Sequence, residues 1–175
     1  CAEHRAVAQE AARRSQVLLK NDGLLPLDVD KLSSIAVIGP NADSQEVLKG
    51  NYNGTASEYV TILEGIHRIC DGRARVFYSE GCPLYRDRSE GLALPGDRLG
   101  EAVAVAREAD VVVLCLGLDP RIEGEEGDAS NEYGAGDKAH LNLPGLQQKL
   151  LEKVVAVGKP TILVLSSGSA LAVNF

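Results

Sequence analysis

A chain of 175 residues, 45% hydrophobic and 25% charged, has the balance of one ordinary globular domain with its own core. A net charge of -7 disfavours nucleic acid and anionic membrane surfaces as partners, since both select basic faces. No apolar run approaches the roughly 20 residues of a membrane span, and the four cysteines lack CxxC spacing or a nearby histidine cluster, so no metal site is expected.

Residues 3–20, EHRAVAQEAARRSQVLLK, place Val7, Ala11, Ala12, Val17 and Leu18 on one face and predict a helix. Asn21-Asp22-Gly23 ends it, Gly23 suiting the left-handed position past a helix end. The following LLPL reads as extended, because proline disfavours helix at the residue before it. IAVIG (35–39) is a short continuous apolar run, the pattern of a strand covered on both faces. It runs into GPNAD, where Asn41 and Asp43 read as turn residues. GNYNGT (50–55) is a second polar loop and carries Tyr52.

Residues 60–70 predict a helix and 75–78 a strand. A long connection then leads to an alanine-rich helix over 98–109. VVVLCLG (111–117) is the most strand-like run, with Cys115 reading as a buried thiol. Cys70 and Cys82 are open to two readings, free thiols or a disulfide. Pro144 opens a helix over 144–157, near the first turn where proline costs least, and TILVLS (161–166) reads as a last strand. The chain begins at Cys1, contains no methionine and stops at Phe175, so it is expected to be an internal piece of a longer protein.

Strands alternating with helices predict an α/β fold, a mostly parallel sheet sandwiched between helices. Such sheets bind ligands outside the carboxyl ends of their strands. Here those ends carry GPNAD, SEGC, GLDPRIEGEEGD and SSGS. IGPNAD lacks the GxGxxG fingerprint and no phosphate loop is present, so no cofactor is expected. SSGS lacks the order of a serine nucleophile elbow, and His4, His67 and His140 read as surface or structural residues.

The acidic loop remains. Glu123, Glu125, Glu126 and Asp128 fall within six residues of one another. Glycoside hydrolysis needs one carboxylic acid to protonate the leaving oxygen and a second carboxylate on the other side of the bond. Crowded carboxylates raise each other's pKa, which helps to keep one protonated. A solvated acidic loop and a cation site are the alternatives, the latter without the ordered DxDxDG pattern of a calcium loop.

Several segments, in order, carry a resemblance: QEAARRSQVLLKNDGLLPL (9–27), IAVIGPNAD (35–43), LKGNYNGTASEYVTILEGI (48–66), ADVVVLCLGLDPRIEGEEGD (109–128), GDKAHLNLPGLQQKLLEKV (136–154) and GKPTILVLSSGSALAVNF (158–175). Together the chain resembles the C-terminal α/β sandwich domain of family 3 glycoside hydrolases, the β-glucosidase and β-xylosidase family. The resemblance implies residues 1–27 as a linker helix with an extended lead-in and 28–175 as the sandwich, incomplete at its C-terminal end. It also implies a partner absent from this chain, an N-terminal barrel carrying an aspartate nucleophile. The sandwich would supply the acid/base glutamate to a shared site for small β-glucosides, β-xylosides or oligosaccharides; the alternative is a non-catalytic domain of the same enzyme that only binds sugar or braces the barrel.

The family's Glu-Gly-x-Asp-Arg pattern points to Glu125, three residues before Asp128; a longer spacing found in other members points to Glu123. Asp128 is followed by Ala129 rather than arginine, and Asp137-Lys138 offers a second register, so both glutamates stand as candidates with Glu125 first and Glu126 third. Tyr52 is a candidate for stacking on a sugar ring, or else a loop anchor. Asp128 is grouped with the substrate-binding residues and, with Asp137, reads as a loop organiser partnered by Lys138 or Arg121.

Overall fold

A computed structural model describes residues 1–50, 52–86, 94, 96–124 and 137–173. Among them helices and strands alternate: α1 (Ala2–Ser15), β1 (Ser34–Ile38), α2 (Ile62–Cys70), β2 (Arg75–Ser79), α3 (Asp97–Glu108), β3 (Val111–Gly117), α4 (Gln147–Val155) and β4 (Thr161–Ser166). The strands form one sheet in the order β2-β1-β3-β4, every neighbouring pair parallel. The chain leaves β1 for the strand on one side and returns to the strand on the other. The crevice where such a sheet takes a ligand therefore lies between the exits of β1 and β3.

The expected α/β sandwich is present, and its cause is visible in the side-chain alternation. β1 and β3 are buried at every position, as central strands covered on both faces must be. Because side chains alternate along a strand, Ala36, Ile38, Val112, Leu114 and Leu116 fall in one layer with α3 and α4, where they join Leu99, Ala102, Ala106, Leu150 and Val154. Ile35, Val37, Val111, Val113 and Cys115 fall in the other, with Leu63 and Cys70 of α2. Thr61 caps α2. Its hydroxyl accepts from the Glu64 amide at 3.2 Å and donates to Asp43 at 2.8 Å, so Asp43 holds the turn role expected of it.

The first helix is shorter than its periodicity predicts. It ends at Ser15, and Gln16 is already extended, at φ -75° and ψ 135°. No residue of α1 is buried, and Val17, Leu18 and Leu19 beyond it are exposed. An apolar stripe lengthens a helix only by packing, and propensity alone is marginal at this length. Gly23 does adopt a positive φ of 95°, but in a separate turn. There the Asn21 carboxamide accepts from the Gly23 and Leu25 amides at 3.1 and 3.0 Å.

Cys70 and Cys82 are not joined by a disulfide, which removes that reading. They belong to the two different apolar layers, on opposite faces of the sheet. Cys115 is fully buried, and desolvation pushes its thiol up to about 12. A thiol reagent near neutral pH should therefore label Cys1 rapidly in the folded chain and all four cysteines after denaturation. A second fast native thiol, or fewer than four in denaturant, would contradict this packing.

Candidate active site

The carboxyl edge of the sheet is built on two glycines. Gly39 follows the last residue of β1 and Gly117 ends β3, both at φ 122°. A Cβ on Gly39 would stand 2.1 Å from the Cys115 carbonyl oxygen, and one on Gly117 would stand 2.1 Å from that of Ser166. Each strand thus exits directly across the backbone of its neighbour, at a distance and a φ that only glycine satisfies. Backbone bonds complete the crossings: Asn41 donates to Cys115 at 3.4 Å, and Leu118 to Ser166 at 2.7 Å.

Gln147, in the first turn of α4 and fully buried, fastens this edge from behind. Its side-chain oxygen accepts from the Gly117 amide at 2.7 Å. Its side-chain nitrogen donates to the carbonyls of Gly117 at 2.8 Å and Leu84 at 2.7 Å. Buried Asn41 donates to the Leu118 carbonyl at 3.3 Å, tying the loop after β1 to the loop after β3. Its carboxamide oxygen has no partner among the described residues.

Over this edge lies a cleft of about 660 Å³. One wall is Val47, Lys49 and Gly50 from the connection after β1. Another is Leu118–Gly124 after β3, represented by Leu118, Asp119, Pro120, Glu123 and Gly124, and a third is Ser166–Gly168 after β4; Asp137 and Lys138 close it. The Asp119 side chain is completely buried. Its carboxylate accepts from the Arg121 amide at 2.8 Å and from Nε and Nη2 of the same arginine at 2.9 and 2.6 Å. That hydrogen bonding holds the Arg121 guanidinium protonated even more firmly than usual. The Asp119 carbonyl accepts from the amides of Ile122 at 3.1 Å and Glu123 at 3.2 Å, closing one turn. On the facing wall Lys49 donates to Glu46 at 2.7 Å and stands 5.5 Å from the centre of the Tyr59 ring. Hydrogen bonding between them raises the Lys49 pKa and lowers that of Glu46.

Of the residues singled out in the sequence, half-buried Glu123 lines this cleft, as do Asp137 and Lys138. Glu125, Glu126 and Asp128 lie outside the described residues. Tyr52, 85% exposed, is two residues beyond Gly50 of the cleft wall and is not itself a lining residue. Arg121 turns to Asp119, and Lys138 donates to the Ala170 carbonyl at 2.8 Å. Asn41 and Asp43 serve the turn. Asp119 and Gln147 escaped sequence reasoning. The first is signalled only by a carboxylate directly after a buried strand, the second by an amide at an apolar helix position.

The glycosyl hydrolase family 3 C-terminal domain model matches residues 16–175. A β-xylosidase of Formosa agariphila is 37% identical over 99% of this chain and 23% of its own length. β-D-xylosidase 1 of Arabidopsis thaliana is 41% identical over 98% of the chain and 20% of its own. The solved structure of a family 3 β-glucosidase from Bifidobacterium adolescentis superposes with a TM-score of 0.75 at 31% identity, over 98% of this chain and 23% of that one. The chain spans about a fifth of the length of the curated relatives it matches.

Two substitutions and a control test the edge. Gly117→Ala should cost about 3 kcal/mol or more, since strain at φ 122° adds to an impossible backbone contact. Gly54→Ala, with nothing within 4 Å of its Cβ, should stay within about 0.5 kcal/mol of the parent. Gln147→Leu orphans three backbone groups, each costing about 1–3 kcal/mol, and should lower the urea midpoint as far as Gly117→Ala does. Near-parental midpoints for either would show that the edge rearranges freely.

Proposed function

The chain belongs to the glycosyl hydrolase family 3 C-terminal domain family, and on that premise we propose that it supplies the general acid/base of a retaining β-glycosidase. In this reading residues 1–27 link the sandwich, 28–175, to an N-terminal barrel that carries the nucleophile. The substrate lies between the two domains. The observation that carries the reading is Glu123 lining the cleft at the carboxyl edge, with Glu125 and Glu126 following it in sequence within three residues. The acid protonates the oxygen of the departing sugar as the nucleophile attacks from the opposite face, then deprotonates the water that releases the glycosyl-enzyme. Relatives named β-xylosidases, at 37% and 41% identity, favour terminal β-D-xylosides as substrate. The β-glucosidase structure at 31% identity keeps β-D-glucosides beside them. Asp128 and Tyr52 are the proposed sugar contacts from the same loops.

The test uses the barrel-bearing protein with Glu123→Ala and Glu125→Ala made separately. Losing a general acid should lower kcat/KM on an alkyl glycoside by about 100- to 10,000-fold while sparing a dinitrophenyl glycoside, whose leaving group needs no proton. The variant that shows this split identifies the acid/base. If neither does, the loop has no acid/base role and the domain only braces or binds. Comparing xylosides with glucosides in the parent protein names the substrate.

A further inference from the structure

We propose that Arg121, acting through Asp119, is a positioning residue for the turn that carries Glu123. The inference rests on the acid/base reading above and deepens it. Asp119 is a fully buried carboxylate at the mouth of a cleft, and burying a charge is costly unless hydrogen bonds satisfy it. Three donors reach it from a residue two positions on: the Arg121 amide, Nε and Nη2, at 2.8, 2.9 and 2.6 Å. The pair closes the chain on itself immediately before the glutamates.

The closure fixes the residues just beyond it. With Asp119 held, its carbonyl receives the amides of Ile122 and Glu123, and Ile122 is driven into the interior at 2% exposure. Upstream, Leu118 is pinned by Ser166 and by Asn41. Glu123 therefore stands on a turn held at both ends. Arg121 itself is well placed for this task, because its side chain is 58% exposed and fills no core volume. Its charge is also felt by Glu46 in the connection after β1.

A proton donor displaced by about 1 Å loses about 100-fold in rate. Arg121→Ala in the barrel-bearing protein should therefore lower kcat/KM on an alkyl glycoside by about 100-fold. It should leave kcat/KM on a dinitrophenyl glycoside within about 3-fold, while kcat and KM on that substrate fall together, because the same glutamate activates the water that releases the glycosyl-enzyme. A purely structural role would lower both substrates together through the folded fraction. Arg121→Lys keeps the charge but not the planar fork, and should restore activity only in part, to about 10-fold below the parent. If Arg121→Ala fails to fold, the same two-substrate comparison on Arg121→Lys decides. Equal losses on both glycosides, or none on either, overturn the proposal. Glu123→Ala and Glu125→Ala run alongside separate the two failures. A split in one of them beside an unaffected Arg121→Ala overturns positioning alone, and no split in either overturns the acid/base reading and positioning with it.

Discussion

The tightest crossings among the described residues are backbone on backbone, Gly39 across Cys115 and Gly117 across Ser166. Two adjacent parallel strands end in the same conformation, and each leans over its neighbour as it leaves the sheet. This repeated crossing sets the level at which the loops begin. The chain after β1 can reach β3 because Gly39 has no side chain, and the turn after β3 rests on β4 because Gly117 has none. A cleft at this edge has a fixed floor for that reason, whatever the loops above it do.

Close crossing has an electrostatic consequence. Strand ends leave amides and carbonyls that the ladder no longer pairs, in a place already too crowded for water, and buried polar groups of this kind are costly when unmatched. Gln147 answers for both polar groups of Gly117 and for a carbonyl after β2. The same helix whose apolar face packs on β3 through Leu150 and Val154 thus carries the amide that finishes the hydrogen bonding of β3. Asp119 and Arg121 solve the next problem along, where the chain must leave the buried edge and become a loop.

The sheet was legible because burial on two faces writes itself as an uninterrupted apolar run. IAVI and VVVLCL admit few other structures, and the glycine after each marks its end. The first helix was misread at its C-terminal end because periodicity reports what a stripe is suited to pack on, not whether a partner is there. The edge fastenings were illegible for a different reason. Gln147 meets residues 30 and 63 positions away, and no local spacing encodes such a contact. Asp119 is two residues from its partner, but its full burial follows from the Gly117 crossing, which the sequence shows only as one more glycine.

On the proposed reading the sandwich holds half of a site, and these constraints bear on how it would do acid/base work. A general acid must be both placed and dry. Placement can be supplied from within the sandwich: β3 is a central strand, buried along its whole length, its last residue is held by Gln147 of α4, and the turn beyond it is tied to β4 and to the loop after β1. Dryness cannot. The cleft is bounded by loops on the sandwich side, and Glu123 in its wall is only half-buried. On the proposed reading, rigidity and desolvation are divided between two domains. The turn from Asp119 to Glu123 is held before any partner arrives, so a closing barrel would need only to exclude water there, not to organise that turn. That division favours an acid near the anchored turn. It also makes the arginine that closes the turn, rather than any cleft-lining apolar group, the residue whose loss should be felt in proton transfer.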